Sequence, residues 1–173
     1  MKIGIDIDNT IACTSFQGNV YVKEMFPECD DYHNLGMENY LAFIKKYADQ
    51  IRTNEPLMDG VKEAFEYFKE KNIKVIFITA RNDAWSPNTE KVTKDYLEKY
   101  GLEYDKIIFG KEMKGAAAKE ENVSLFIDDK EENLEDISKY GIECIRITKD
   151  KSSKFKTFDN WKELLDYIKR KVG

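Results

Sequence analysis

Five short segments of the chain are almost continuously apolar and rich in β-branched residues. Apolar and polar positions do not alternate within them, so each segment predicts a strand that is buried on both faces of a parallel sheet. The five segments are residues 2–8, 73–79, 106–110, 123–129 and 142–148.

Helical patterns separate these predicted strands. One helical face carries Val61, Ala64, Phe65 and Phe68. Asp59 is placed to cap that helix. Further patterns predict helices over residues 87–101, 115–121, 131–140 and 161–168. Because strands and helices alternate, we predict an α/β fold with a parallel sheet. The polar and basic residues 149–156 predict a surface loop.

Residues 14–58 break this alternation. They show no strand pattern, only two helical patterns around residues 20–26 and 40–51. A direct crossover would need far fewer than the roughly 65 residues that separate the first two strands. An elaborate crossover and an inserted helical cap both fit, and we favour the cap because long connections in compact domains tend to be functional. The expected division is a core of residues 1–13 and 59–173 with a cap of residues 14–58.

Composition narrows the class of protein. The 173 residues suffice for one domain with a small insert, and 28 basic against 33 acidic residues give a net charge of −5. A protein that binds a nucleic-acid polymer would carry the opposite charge, and no apolar run approaches the roughly 20 residues of a membrane span. The three cysteines are odd in number and well separated. We therefore expect no disulfide framework and a location in the reducing cytoplasm.

Acidic and hydroxyl residues stand at the carboxyl ends of three predicted strands. Asp6 and Asp8 end the first strand, Thr79 ends the second, and Asp128 with Asp129 ends the fourth. In parallel α/β sheets, ligands bind at these ends, near the topological switch point. Because Asp6 and Asp8 are two residues apart, both carboxylates are expected to leave the same face of an extended strand.

Such a cluster favours a hard divalent cation. Carboxylates a few ångströms apart repel each other, and one of them stays protonated unless a cation lies between them. Oxygen ligands that leave room for water and a phosphate oxygen are typical of Mg²⁺. We therefore predict Mg²⁺ as the cofactor and a small phosphorylated molecule as the partner. Lys114, at the start of a predicted helix, is placed to bind the anion.

The order of these motifs resembles that of the haloacid dehalogenase (HAD) superfamily of aspartate-nucleophile phosphotransferases. The motifs are DIDNT at residues 6–10, ITAR at 78–81, a lysine, and FIDD at 126–129. The resemblance covers residues 1–13 and 59–148. It implies a Rossmann-like parallel sheet with strand order 5-4-1-2-3, and it implies that the insert is a C1-type cap.

The resemblance assigns the chemistry to the first motif. It implies that Asp6 attacks phosphorus to form an aspartyl-phosphate, and that Asp8 acts first as general acid and then as general base. It also implies that Thr10 orients the Asp8 side chain and that Asn9 supports the same loop. The implied activity is Mg²⁺-dependent hydrolysis of phosphomonoesters.

The later motifs are implied to bind the phosphate and the metal. Thr79 and Ala80 would contact the phosphoryl group together with Lys114, for which Lys111 is the rival and Lys119 a more distant third. The implied Mg²⁺ ligands are Asp6, Asp8, Asp128 and, through water, Asp129.

The small insert, the segment PLMDGVKEAF at residues 56–65 and the ITAR motif resemble the 5'(3')-deoxyribonucleotidase branch, with its cytosolic type C nucleotidases. This resemblance implies a nucleoside monophosphate as substrate. Phe16, Tyr21 or Phe43 would then stack on the base, unless these rings only pack the insert against the core, and Arg81 would contact a phosphate or sugar. A phosphatase or phosphomutase acting on a sugar phosphate or another small metabolite remains the alternative.

A receiver domain, which is a non-catalytic phospho-acceptor signalling module, also combines acidic residues, Mg²⁺, threonine and lysine on a parallel sheet. In receivers the paired acids follow the first strand, the acceptor follows a middle strand, and threonine and lysine come later. Here the DxD motif comes first, the adjacent acids come near the end, and the insert has no counterpart. The motif order therefore favours the phosphatase.

Overall fold

Six parallel strands form one sheet in the computed structural model, which describes residues 1–173. The strands are β1 (Lys2–Ile5), β2 (Lys74–Ile78), β3 (Lys106–Ile108), β4 (Leu125–Asp128), β5 (Glu143–Ile147) and β6 (Lys156–Phe158). Their order is β3-β2-β1-β4-β5-β6, with every neighbouring pair parallel. This confirms the Rossmann-like α/β fold and, from β5 to β3, the expected order 5-4-1-2-3. It differs from the flavodoxin-like order 2-1-3-4-5.

The edge strand β6 was not predicted from the sequence. It pairs with β5, placing Ile145 opposite Lys156 and Ile147 opposite Phe158. The surface loop predicted for residues 149–156 therefore ends at residue 155. A strand of three residues contains too short an apolar run to predict it.

Seven α-helices and one 3₁₀-helix connect the strands. They are α1 (Thr14–Met25), the 3₁₀-helix (Tyr32–Asn34), α2 (Met37–Asn54), α3 (Val61–Glu70), α4 (Thr89–Lys99), α5 (Gly115–Glu120), α6 (Glu131–Ser138) and α7 (Trp161–Val172). None of them combines the length and the hydropathy that crossing a bilayer requires.

The start of α3 differs from the prediction. Gly60 occupies the cap position at φ 89°, a left-handed conformation that glycine adopts without steric cost. The side chain of Asp59 makes no cap hydrogen bond and instead forms an ion pair with Lys162 of α7, at 2.9 Å. The predicted Asp59 cap is therefore wrong.

Alternate residues of the strands contribute to two separate apolar clusters, one on each face of the sheet. The larger cluster joins the strands to α3, α4 and α7 and includes Ile3, Ile5, Phe65, Phe77, Leu97, Ile127, Trp161 and Leu164. The smaller cluster joins them to α5 and α6 and includes Ile76, Ile78, Ala118, Phe126, Leu134 and Ile137. The sheet is thus buried on both sides, as its continuous apolar segments predict.

Residues 14–54 carry an apolar cluster of their own. It comprises Val22, Tyr32, Phe43, Tyr47 and Ile51 and holds together α1, the 3₁₀-helix and α2. The two helical patterns predicted in this segment are confirmed, although both helices are longer than predicted. The backbone N–H of Cys13 donates to the carbonyl of Pro56 at 2.8 Å, so the two connections to the sheet lie side by side.

The switch point of the sheet lies at β1, which has β2 on one side and β4 on the other. The backbone N–H of Asp6, just after β1, donates to the carbonyl of Ile127 at 3.0 Å. Asp6 is therefore level with Asp128 at the end of β4. Thr79 follows β2 on the opposite side.

Gly4 in β1 lies against the aromatic ring of Phe126, and a Cβ atom at position 4 would be 2.3 Å from its Cδ2 atom. Gly4→Ala is therefore expected to lower the free energy of unfolding by about 1–3 kcal/mol, because the ring must move within a packed cluster. The matched control is Gly36→Ala, where a Cβ atom would meet nothing within 4 Å. Urea denaturation of both variants measures the difference, and equal stabilities would show that the smaller cluster is loosely packed.

Candidate active site

A buried lysine joins the ends of β1 and β4. The Lys114 ammonium lies 2.6 Å from Asp6 Oδ1 and 2.7 Å from Asp128 Oδ2, and its side chain is only 1% exposed. Although burial lowers the pKa of Lys114, the carboxylates of Asp6 and Asp128 raise it above its usual value. The rivals Lys111 and Lys119 are exposed. Of the three lysines, Lys114 is the one that reaches the carboxylates.

Three carboxylates form a cluster that fits a divalent cation. Oxygen atoms of Asp6, Asp128 and Asp129 all lie within 4.8 Å of one another. Burial, opposed by the Lys114 ammonium but reinforced by Asp128, raises the pKa of Asp6 to about 7. Burial and the charges of Asp128 and Asp6 raise the pKa of Asp129 to about 8. The single ammonium of Lys114 therefore does not neutralise the negative charge of the three carboxylates. Their oxygen-only donor set suits Mg²⁺.

The Asp128 carboxylate is held by the first turn of α6. Its Oδ1 accepts from the backbone N–H of Lys130 at 2.9 Å, and both oxygens lie 3.0 Å from the Asn133 side-chain amide. Sequence reasoning missed Asn133. Its position four residues after the FIDD motif, on the predicted helix, is the only signal that could have indicated it.

Asp8 lies outside this cluster, contrary to the prediction that its carboxylate joins the metal ligands. β1 ends at Ile5, and the chain then turns, with the N–H groups of residues 10–12 directed at the carbonyl of Ile7. The Asp8 carboxylate faces Arg81 instead, at 2.7 Å from Nη2 and 3.1 Å from Nε. Burial would raise the pKa of Asp8, but the Arg81 guanidinium lowers it to about 2.

Thr10 also has a different role from the one predicted. Its hydroxyl lies 3.4 Å from Asp6 Oδ2, from Asp129 Oδ1 and from the main-chain oxygen of Asp8, and it accepts from the Asp129 N–H at 3.2 Å. It therefore contacts the carboxylate cluster and does not orient the Asp8 side chain. That side chain accepts from the hydroxyl of Thr14 at 3.0 Å.

The other predicted phosphate and loop residues lie around the same site. Thr79 is buried at the end of β2, and its hydroxyl accepts from the backbone N–H of Arg81 at 3.2 Å, which leaves its proton without a protein acceptor. Ala80 and Asn9 line a cavity above the carboxylates, which is described below. The Asn9 side chain also accepts from the N–H of Ser15 at 2.8 Å and so satisfies the first turn of α1.

Arg81 is itself almost fully buried, at 3% exposure. Besides Asp8, its guanidinium donates to Glu55 Oε1 at 2.5 Å and to the Thr93 hydroxyl at 3.2 Å. The guanidinium borders the cavity but is committed to protein groups. The predicted contact of Arg81 with a phosphate or sugar therefore stays a prediction.

A cavity of about 290 Å³ opens above the carboxylates. Asp6, Asp8 and Lys114 line its floor. The rings on its walls are Tyr32, His33, Tyr40 and Trp85. Its volume is near the lower end of the range for small-molecule sites. Arg52 of α2 also lines it and donates to the hydroxyl of Thr89 at 2.7 Å.

The three rings predicted to stack on a ligand lie elsewhere. Phe16 is 62% exposed on α1 and does not line the cavity. Tyr21 stacks on Tyr47, and Phe43 is fully buried, both within the apolar cluster of residues 14–54. Tyr21 and Phe43 therefore pack within the insert itself, which differs both from stacking on a base and from the alternative that they pack the insert against the core.

Comparison with known proteins finds no matching family model. A curated nucleotidase from Clostridium acetobutylicum is 28% identical over 186 aligned positions, which cover 98% of this chain and 94% of that protein.

Among solved structures, a haloacid dehalogenase-like hydrolase from Streptococcus pneumoniae has a TM-score of 0.71 at 13% identity, covering 96% of this chain and 97% of its own. A "predicted phosphatase" from Clostridium acetobutylicum has a TM-score of 0.71 at 17% identity, covering 98% of each chain. The two structures align over almost the whole length of the chain. The protein therefore has the fold of the haloacid dehalogenase-like hydrolases.

Proposed function

We propose that this protein is a Mg²⁺-dependent phosphomonoester hydrolase that acts through an aspartyl-phosphate on Asp6. The observation that carries the proposal is the buried Lys114 ammonium between Asp6 and Asp128, at the floor of a cavity open to a small ligand. The fold of the hydrolases and the similarity to a nucleotidase support it. We also propose the cytoplasmic location expected from the three well-separated cysteines of the sequence.

Each residue at the floor of the cavity has a distinct part in the proposed reaction. An Asp6 oxygen attacks phosphorus in line, the bond from phosphorus to the leaving oxygen breaks, and the Asp6 acyl phosphate forms. Lys114 donates to a phosphoryl oxygen, where negative charge is concentrated in the transition state. Mg²⁺ held by Asp6, Asp128 and Asp129 would neutralise the charge between nucleophile and phosphate.

Asp8 is the group placed to move protons. It donates one proton to the leaving alkoxide, and it later accepts one from the water that cleaves the acyl phosphate. Against Arg81 it is held ionised, which is the form required for the second step. The first step requires a protonated Asp8 and therefore a looser contact with Arg81.

We also propose that residues 14–58 form the inserted C1-type cap. Support comes from the separate apolar cluster of residues 14–54 and from the adjacent connections at Cys13 and Pro56. The cap supplies Tyr32, His33 and Tyr40 to the cavity wall, so it shapes the space beyond the phosphate.

The proposed substrate is a nucleoside monophosphate. Tyr32, His33 and Tyr40 on the cap and Trp85 in the loop after β2 give the cavity aromatic walls, against which a base can stack. The nucleotidase relative supports the same class. The direct test is phosphate release with Mg²⁺ from a panel of nucleoside monophosphates, sugar phosphates and 4-nitrophenyl phosphate. Release from none of them would contradict the proposed function, and isomerisation without release would indicate a mutase.

If a base stacks on the cap, Tyr40→Ala is expected to raise KM for the preferred nucleotide about 5- to 150-fold, the equivalent of roughly 1–3 kcal/mol of stacking. KM for glycerol phosphate, which has no ring, is expected to stay the same. Tyr40→Phe, which keeps the ring, serves as the matched control. An equal rise in KM for both substrates would show that Tyr40 shapes the cavity without contacting a base.

A further inference from the structure

Glu55 is a buried carboxylate that the proposed chemistry does not use. It follows α2 directly, precedes Pro56 and is 0% exposed. A carboxylate in such a position is costly unless it is paired. Its partners are Arg81 Nη2 at 2.5 Å and the Thr14 hydroxyl at 2.8 Å.

The location of Glu55 links it to both connections of the cap. Thr14 is the first residue of α1, and Glu55 is the first residue after α2, so the pair joins the two ends of the helical segment. Next to them, the Met58 N–H donates to the Ile11 carbonyl at 2.8 Å. A change in the position of the segment relative to the sheet must therefore act on the contacts of Glu55.

Asp8 depends on the same two partners. Its Oδ1 lies 2.7 Å from Arg81 Nη2 and 3.0 Å from the Thr14 hydroxyl. The hydroxyl carries one proton and donates it to one carboxylate at a time. Arg81 is fixed by its further contact with Thr93, so it cannot follow either carboxylate freely. When the Thr14 hydroxyl donates to Glu55, Asp8 loses that hydrogen bond. Arg81 donates to both carboxylates at once, so they share the attraction of its single positive charge.

Glu55 is one of the carboxylates that offset the buried guanidinium charges of this group. Arg81 pairs with Asp8 and Glu55. Arg52 lies near the same two carboxylates and near Asp49. Without the charge of Glu55, Arg81 would have Asp8 as its only carboxylate partner. The attraction between Arg81 and Asp8 would then increase, because nearby charges interact strongly in a poorly solvated site.

We propose that Glu55 is a positioning residue: by sharing Arg81 and Thr14 with Asp8, it keeps the Asp8 carboxylate loosely enough held to reach the leaving oxygen. The inference rests on the proposed function, since it concerns the acid of that reaction. It extends the site from the floor of the cavity to the two connections of the cap.

The test compares two substrates that differ in their need for an acid. A nucleoside monophosphate releases an alkoxide, which must be protonated, whereas 4-nitrophenyl phosphate releases a stable phenolate. For Glu55→Gln, we expect kcat/KM to fall about 30-fold on the nucleotide, part of the roughly 10²–10⁴-fold that a general acid contributes. On 4-nitrophenyl phosphate we expect a loss below about 3-fold.

Glu55→Asp keeps the charge and should recover part of the activity on the nucleotide. If thermal melts show that Glu55→Gln is unfolded, kcat/KM on the same two substrates is compared for Glu55→Asp instead. The matched control is Asp105→Asn, which alters a carboxylate that accepts from the Val75 N–H at 2.9 Å, at the start of β2 and away from the site.

Equal losses on both substrates, or no loss on either, in folded Glu55 variants would overturn the inference while leaving the proposed function intact. If the wild-type protein releases phosphate from neither substrate, the proposed function itself fails.

Discussion

Asp6→Asn is expected to abolish phosphate release, with a loss of at least about 10⁴-fold in kcat. The amide is not a nucleophile toward phosphorus, and no other carboxylate is both adjacent to Lys114 and placed at the end of β1. The fold should survive, because Lys114 keeps Asp128 as a partner. Phosphate release measures the activity, and intact mass after a denaturing quench measures any phosphoryl group on the protein.

Asp8→Asn removes the proton carrier and leaves the nucleophile in place. This variant should release phosphate only slowly. With 4-nitrophenyl phosphate it should accumulate the acyl phosphate on Asp6, because water then lacks its general base. Asp6→Asn should show no phosphorylated protein at all. A phosphorylated Asp6→Asn protein would mean that another residue is the nucleophile.

The fold was predictable because its sheet is buried on both faces. Continuous apolar segments such as 73–79 carry that information locally, and the polar residues that follow them mark the carboxyl ends of the strands. The meeting of Asp6 and Asp128 followed from this, since neighbouring parallel strands end at the same edge. The edge strand β6 was missed because three residues give no periodicity.

The orientation of Asp8 was not predictable from alternation along a strand. The prediction assumed that the strand extended to residue 8, but it ends at Ile5, and Asn9 adopts a φ of 55° in the turn that follows. The partner of Asp8 is Arg81, 73 residues away. Hydrogen bonds within the turn and this distant guanidinium decide the direction of the side chain, and neither appears in the local sequence pattern.

The aromatic residues that line the cavity walls were also not predicted from the sequence. Tyr32 and His33 belong to a 3₁₀-helix too short to produce a helical pattern, and Tyr40 lies on a helix whose other rings pack inward. Which rings of a helical insert face the core is decided by how the insert docks. Glu55, directly before a proline at the end of the insert, gave no sign of its buried partners.

Lys114→Met is expected to lower the free energy of unfolding by about 3 kcal/mol or more, because it leaves Asp6 and Asp128 buried without their shared cation. For a chain of this size that is a fall in Tm of roughly 6–12 °C. Lys119→Met is the matched control, since it changes an exposed lysine on α5, the helix that Lys114 directly precedes. It should shift stability by no more than about 0.5 kcal/mol.

Mg²⁺ should separate the structural from the catalytic contribution of Lys114. An ion that binds the native carboxylates stabilises the fold in proportion to the logarithm of its concentration over Kd. Because Lys114→Met removes the ammonium that repels the ion, Mg²⁺ should bind this variant with a lower Kd. Melting curves should therefore show a larger Mg²⁺-dependent rise in Tm for Lys114→Met than for the wild type. Phosphate release should remain lost even at saturating Mg²⁺. The ion replaces the positive charge between Asp6 and Asp128, but it does not replace the hydrogen-bond donor that Lys114 directs at the phosphoryl oxygens. Recovery of both stability and activity would show that Lys114 serves only to balance the carboxylates.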